Sequence, residues 1–315
     1  MDKHVVIIGG GLSGLHCAQK LAPHFDVTVF EKDPEDKFCL KMCAEGLTPR
    51  GQSYISSKYY TVKLSKALLE IPQNIKLYVP TFSSIVTFDR RQYLLDQREL
   101  AIQEGATVLN KATVTEIDLE KKVVTTASGD FQYDILIGAD GSNSRVRKKL
   151  DLDPPFGMRL ISARIPYDKL PPGVPKKSLW LKLLPGLHSV ISSFPNRGFT
   201  WLGIGWFPSE YDIPYVSYHF KSMLSRMGLD VESINLTGSL VNANRVSLHP
   251  QKDVYLIGDA AGVASSLTGE GIPYSLSSAE FVSRKIRGLP SSRIISPIGN
   301  RIAKHLLMGM SLATE

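Results

Sequence analysis

The chain opens on Val5-Val6-Ile7-Ile8, apolar at every position, then Gly9-Gly10-Gly11-Leu12-Ser13-Gly14, a helical pattern to about Ala22, and a second apolar run from Val27 to Phe30. That order predicts strand, glycine turn, helix and strand, one βαβ unit whose strands are buried on both faces of a parallel sheet. A further helical pattern runs from Asp89 to Glu104 and closes at Gly105. Short β runs at Thr107–Leu109, Thr113–Ile117 and Val123–Thr126, with turns at Glu120-Lys121 and Ser128-Gly129, predict a β-meander. Tyr133 to Gly138 and Val254 to Gly258 return to the buried-strand pattern, and a helix is expected from about Pro273 to Arg287. Between them, Leu160–Ile165, Leu179–Leu183, Ser189–Phe194 and Thr200–Gly205 have strand character, and Val216–Met227 forms an amphipathic helical pattern. The expected architecture is α/β: a Rossmann-like domain from 1–50, 85–150 and 240–315, and an inserted antiparallel β-sheet lobe from 51–84 and 151–239.

Composition narrows the classes. With 43% hydrophobic residues in 315, the chain can bury a large core, which excludes disorder. Three cysteines, Cys17, Cys39 and Cys43, neither staple a secreted fold nor complete a four-ligand zinc site, so no metal is expected and a cytoplasmic location is. The N-terminus runs directly into the first strand, with no targeting leader expected. The most apolar later stretch, Leu179 to Phe194, is broken by Lys182, Pro185, Gly186 and His188, so no span of ~18 apolar residues arises and membrane contact would be peripheral. Thirty-seven Lys and Arg against thirty Asp and Glu leave a charge of +7. No aromatic-interleaved basic block accompanies it, so nucleic acid is not an expected partner and an anionic membrane surface or an incidental surface charge is.

Candidate chemistry begins at Gly9-x-Gly11-x-x-Gly14, where glycines permit the tight turn, the approach of backbone N–H groups to a pyrophosphate and close helix packing. Glu31, twenty residues past Gly11, can accept from both hydroxyls of an adenosine ribose. Alone this predicts a dinucleotide and leaves NAD and FAD open.

Two distant segments decide between them. Asp134-Ile135-Leu136-Ile137-Gly138-Ala139-Asp140-Gly141-Ser142-Asn143-Ser144-Arg145-Val146-Arg147 resembles the Asp-Gly fingerprint of flavin enzymes related to aromatic hydroxylases. Gly258-Asp259-Ala260-Ala261-Gly262 resembles their Gly-Asp fingerprint, whose aspartate accepts from the ribityl chain of FAD. Ser266-Leu267-Thr268-Gly269-Glu270-Gly271-Ile272 and Lys41-Met42-Cys43-Ala44-Glu45-Gly46-Leu47 further resemble the geranylgeranyl reductase family, including the archaeal digeranylgeranylglycerophospholipid reductases. In that family the Gly-Glu-Gly-Ile turn lies against the flavin ring and the Cys-x-Glu-Gly segment borders the isoalloxazine and the substrate cavity. Asp89-Arg90-Arg91-Gln92-Tyr93 resembles the family's Asp-Arg-x-x-Phe helix start, which implies that Arg90 reaches the FAD phosphates; a solvated helix end is the alternative. The cofactor contacts implied are Gly9, Gly11, Ser13, Gly14, Glu31, Lys32, Cys43, Ala44, Arg90, Val114, Asp140, Gly141, Asp259, Gly271 and Ile272.

One departure concerns the substrate. The family's Tyr-x-Trp-x-Phe-Pro and Gly-x-Gly signature keeps Phe194-Pro195 and Gly203-Ile204-Gly205 here, but Val190 and Ser192 replace the two rings, and the chain ends forty-four residues after Gly271. The resemblance implies hydride transfer from reduced flavin to an isoprenoid double bond, with NAD(P)H, ferredoxin or another carrier as reductant. The proton would come from Cys43 or Glu45, with Cys43 the favoured neighbour of the flavin and Glu270 the outside alternative. Rival expectations are a flavin monooxygenase and a catalytically silent FAD-binding protein. Implied partners are an isoprenoid lipid, an electron-donor protein and, through Lys176-Lys177 beside Leu179-Trp180-Leu181 or through Arg301 to Met308, an anionic membrane.

Overall fold

The fully apolar runs become the parallel strands. The computed structural model describes residues 3–38, 43–184, 189–206, 212–265 and 269–290. Elements follow in the order β1 (His4–Ile8), α1 (Leu12–Leu21), β2 (Asp26–Phe30), β3 (Gly46–Leu47), α2 (Pro49–Gln52), β4 (Tyr60–Ile71), β5 (Ile75–Phe88) and α3 (Arg90–Gln103). Next come β6 (Thr107–Leu109), β7 (Glu116–Asp118), β8 (Val123–Thr126), β9 (Gly129–Gln132), β10 (Ile135–Gly138) and α4 (Arg145–Lys149). The remainder is β11 (Gly157–Pro166), β12 (Leu179–Leu184), β13 (Ser189–Pro195), β14 (Phe199–Trp206), α5 (Ile213–Arg226), β15 (Thr237–Asn242), β16 (Val254–Leu256) and α6 (Ile272–Ile286).

Two compact units divide these elements. The first takes the described residues within Met1–Leu40, Arg91–Gly157 and Val241–Glu315, the second those within Lys41–Arg90 and Met158–Leu240. The described residues 43–50 and 85–90 group with the second unit, where Gly46 and Leu47 pair with Thr87 and Val86.

The first unit carries a five-stranded sheet in the order β16-β10-β1-β2-β6 with parallel pairing throughout. Val5, Val6 and Ile7 are fully buried because apolar clusters cover both faces: Val5 and Ile7 pack with Cys17, Leu21 and Val282, and Val6 and Ile8 with Leu136, Val146 and Val124. Burial among these apolar side chains pushes the Cys17 thiol far above its usual range. The meander differs from expectation at two points. Thr107–Leu109 pairs in parallel with Thr28–Phe30 and belongs to the main sheet. The strand expected over Thr113–Ile117 is Glu116–Asp118; the segment before it is held at the end of β2 by the Ala112 N–H on the Glu31 carbonyl at 2.9 Å and reaches the meander at Thr115, whose N–H donates to the Thr125 carbonyl at 2.8 Å. The meander itself is β7-β8-β9.

The second unit carries an eight-stranded sheet, β15-β11-β14-β13-β12-β4-β5-β3, in which β12 and β4 run parallel and the other registered pairs antiparallel. One face holds Leu68, Trp180, Ile191, Leu202, Ile204 and Trp206, which pack against Val216, Phe220 and Leu224 of α5. Alternation turns Phe194, Ser192 and Val190 of β13 and Trp201, Gly203 and Gly205 of β14 to the opposite face. The sequence reading assigned no elements to the long β4–β5 hairpin. Its turn, Pro72-Gln73-Asn74, contains no glycine, and Gln73 itself takes the left-handed conformation at φ +67°.

A methyl group at Gly14 would collide with the Gly9 carbonyl oxygen, a backbone atom with nowhere to go. Gly14→Ala is therefore expected to cost about 2 kcal/mol or more, read as a lowered urea midpoint at unchanged slope.

Candidate functional site

In the first unit, three separated motifs converge on the C-terminal ends of β1, β10 and β16. Gly9 turns the chain at φ +109° and donates its N–H to the Phe30 carbonyl at 2.8 Å. Helix α1 then starts with no side-chain cap and no acidic residue in its first turn. Its N-terminal N–H groups and the positive end of its dipole are thus available to an anion. At Gly11 a side chain would meet nothing within 4 Å, so the missing side chain serves no protein contact and keeps space open at that helix end.

The buried Glu31 carboxylate accepts the Gly10 N–H at 2.7 Å on one oxygen and the Asp33 N–H at 2.9 Å on the other. Each oxygen retains a lone pair for a ribose hydroxyl. Lys32 beside it is exposed, and Val114 is buried in the segment that follows the Ala112–Glu31 bond. Ser13 is buried, with its hydroxyl close against Gly258.

Asp140 ends the second motif. One of its oxygens accepts the Arg145 N–H at 2.6 Å, the other is buried with no partner among the described residues, and burial raises the carboxyl pKa. Gly141 follows at φ +80°. Ser144 caps α4 by accepting the Arg147 N–H. The buried Arg147 side chain donates to the carbonyls of Asp153 at 2.7 Å and Ala260 at 3.3 Å, tying the second motif to the third. Asp259 sits where a side chain on Gly271 would lie 3.7 Å from its carboxylate, next to the uncapped start of α6 at Ile272. The fully buried Asn242, which the sequence reading missed, donates to the Asp259 carbonyl at 2.8 Å and accepts from Phe156. Ser265 and Glu270 close a turn through the Ser265 N–H and the Glu270 carbonyl at 2.9 Å, with Ser266, Leu267 and Thr268 outside the described residues. Two uncapped helix starts, open space at Gly11, lone pairs on Glu31 and an orphaned Asp140 oxygen fit a dinucleotide with a polar ring system, which is what FAD presents.

In the second unit the chemistry gathers around Glu45. This residue holds φ +57°, a left-handed backbone that costs a non-glycine residue about 1–2 kcal/mol. Its N–H points to the Cys43 sulfur at 3.3 Å and its carbonyl accepts from Phe88 at 3.0 Å. One carboxylate oxygen accepts both the Asn196 side-chain N–H at 2.7 Å and the Trp201 indole N–H at 3.0 Å. Burial pushes the pKa up to about 7 against the opposing pull of the Trp201 bond and of the Arg90 and Arg164 charges. The buried Arg90 therefore faces Glu45 electrostatically. Gly46 lets the Phe194 ring close over it; a side chain there would lie 2.8 Å from the ring.

Ala44 is half-buried, and Pro195 accepts a hydrogen bond from the Thr87 hydroxyl at 2.8 Å. Gly203 and Gly205 abut Ser162 and Leu160, where larger residues would force the strands apart. Lys41, Met42 and Cys39 lie outside the described residues. Asn196 and Trp201 were not singled out from sequence; the available signal was their position, one residue after Phe194-Pro195 and two before Gly203. Among the described residues no group of three or more His, Cys, Asp or Glu could hold a metal, and no helix is long and apolar enough to cross a membrane.

Residues 3–153 match the pyridine nucleotide-disulphide oxidoreductase family. An uncharacterized protein of Methanosarcina barkeri is 25% identical, covering 98% of this chain and 81% of its own length. A digeranylgeranylglycerophospholipid reductase of Methanosphaera stadtmanae is 24% identical, over 89% and 76% respectively. An FAD-dependent monooxygenase of Colletotrichum higginsianum is 27% identical over 46% of this chain and 36% of its own. Among solved structures, a geranylgeranyl bacteriochlorophyll reductase-like protein of Thermoplasma acidophilum superposes with a TM-score of 0.72 at 17% identity, covering 98% of this chain and 83% of that one. A probable FAD-dependent monooxygenase of Pseudomonas aeruginosa gives 0.67 at 15% identity, over 90% and 87%. The chain is an FAD-dependent oxidoreductase with a Rossmann-like FAD-binding fold, and it resembles the geranylgeranyl reductases.

The raised Glu45 pKa has a defined consequence for stability. Between its ordinary 4.5 and about 7 the folded protein holds a proton that the unfolded chain releases. The stabilisation is complete at the low end of that window and lost as pH rises through about 7. Glu45→Gln is expected to flatten this part of the profile of melting temperature against pH. Trp201→Phe removes a bond that favours the carboxylate, so the Glu45 titration, followed by carbon-13 NMR of labelled glutamate, is expected to move above about 7; an unchanged or lower midpoint would refute the assignment.

Proposed function

We propose that this oxidoreductase saturates carbon–carbon double bonds in the isoprenoid chains of lipids, with Glu45 as the proton source. The observation that carries the reading is the Glu45 carboxyl itself, half-buried, held at one oxygen by Asn196 and Trp201 and with its pKa pushed up to about 7. An isolated alkene accepts hydride poorly unless a proton reaches its other carbon, and an acid whose pKa lies close to the working pH transfers that proton best. FAD, once bound and reduced by an electron donor, would supply the hydride.

The protein's part is to bind and to position. Gly11, the α1 start, Glu31 and Asp140 bind the cofactor through the groups described above. Asn196 and Trp201 aim the Glu45 carboxyl by fixing one oxygen. Cys43, whose sulfur receives the Glu45 N–H, supports the left-handed backbone and acts as a positioning residue. Val190 and Ser192, small beside the aromatic pair of the resembled family, widen the sheet face that carries Phe194 and Trp201. The match to a fungal monooxygenase favours a second reading, oxygen insertion by the same cofactor.

Anaerobic incubation of the dithionite-reduced protein with geranylgeranyl lipids separates the two. Mass spectrometry is expected to find additions of two hydrogens per bond, and Glu45→Gln, with FAD still bound, to slow saturation about a hundredfold. Oxygen addition in air with no hydrogenated product would favour the monooxygenase, and an undiminished Glu45→Gln rate would remove Glu45 from the chemistry.

A further inference from the structure

Strand pairing extends the face that carries Trp201 and Phe194 across the sheet. Ser192 pairs with Leu181, Val190 with Leu183, Leu181 with Leu69, and Leu69 with Leu77. Paired residues share a face, so a mostly aliphatic track, broken by Ser192 on β13, leads from the β14 strand that carries Trp201 to the outer hairpin, four strand spacings or about 19 Å. At its far end the track is uncovered: Ile75, Leu77, Val79 and Leu183 are 44, 46, 41 and 42% exposed. A contiguous exposed apolar surface of this kind marks an interaction site.

The opposite face of the hairpin presents exposed Lys66, Lys76 and Tyr78, which pair with Pro80, Glu70 and Leu68. Glu70 is the only carboxylate between Tyr60 and Pro80, and Lys182 at 2.6 Å and the Trp180 indole at 3.3 Å already engage it. The ribbon is thus aliphatic on one side, cationic and aromatic on the other. Its outer edge is guarded as well: β3 covers β5 only at Val86 and Thr87, and Lys76 and Pro80 stand on the uncovered stretch, the residue types that discourage strand addition. These guards disfavour a second copy of the chain as the occupant.

We propose that the β4–β5 hairpin, from Lys66 to Pro80, docks on a bilayer surface containing anionic phospholipid, with its aliphatic face in the acyl region and Lys66, Lys76 and Tyr78 at head-group depth. The inference rests on the isoprenoid-lipid reading, since the track joins the hairpin to the strand whose Trp201 holds Glu45. The earlier candidate at Lys176-Lys177 is weaker, because Leu179 and Trp180 beside it are buried in the sheet, and Arg301 to Met308 lies outside the described residues.

Flotation of the FAD-loaded full chain with phosphatidylcholine vesicles, with or without phosphatidylglycerol, tests this. Binding is expected only with the anionic lipid and weaker in high salt. Lys66→Gln with Lys76→Gln is expected to lower partition roughly 25-fold, about fivefold per lysine, and Leu77→Asp with Val79→Asp at least about tenfold, at unchanged melting temperature and FAD content. Variants that float like the parent, a parent that ignores anionic vesicles, or a parent dimer dissolved by Leu77→Asp with Val79→Asp would overturn the proposal. Saturation of a detergent-dispersed isoprenoid is scored separately. A protein that saturates but does not float overturns docking alone; one that floats but does not saturate overturns the substrate reading alone.

Discussion

Everything in the first unit hangs on how closely helix α1 approaches the turn beneath it. Gly14 lies on the Gly9 carbonyl with no room for a methyl group, and the Gly10 N–H is held by the Glu31 carboxylate. The first contact sets the helix on the sheet, and the second fixes the turn to the end of β2. Together they aim an uncapped helix start at open space above Gly11. An apolar core on both faces makes β1 rigid enough to hold that geometry. Arg147 performs the equivalent service for the other two motifs by donating to two backbone carbonyls in the interior. A buried guanidinium is tolerated there because its bonds to carbonyls offset part of the desolvation cost.

In the proposed chemistry the second unit meets a different demand, a carboxyl acid enough to donate a proton and protonated enough to have one. Burial alone would push Glu45 further up, while the Trp201 indole and the Arg90 and Arg164 charges hold it down. The balance leaves it near neutrality. The cost is a left-handed backbone and a half-buried carboxyl, both supported by partners on β14, on the segment after β13 and at Cys43. Local strain that surrounding structure sustains is common where chemistry takes place.

Much of this was legible in the sequence, for a physical reason. The turn and helix-start geometry proposed to hold phosphate and ribose is local, so Gly9, Gly11, Gly14, Glu31, Asp140 and Asp259 sit in contiguous motifs between patterned strands and helices. Parallel strands buried on both faces announce themselves as apolar runs. What escaped depends on long-range pairing. Asn196 and Trp201 reach Glu45 across 151 and 156 residues, and no local pattern marks them. Thr107–Leu109 has the same composition as a meander strand, and only its partner Thr28–Phe30 reveals its sheet. The β4–β5 hairpin hides because its turn lacks glycine and its strands mix lysines with exposed aliphatics.

The central claim is that Glu45 donates the proton that accompanies reduction. Its most direct measurement is the pH dependence of single-turnover double-bond saturation. The rate is expected to be level in acid and to fall about tenfold per pH unit above about 7, with the break moving upward in Trp201→Phe. A rate independent of pH through that range, or a break unmoved by Trp201→Phe, would contradict it.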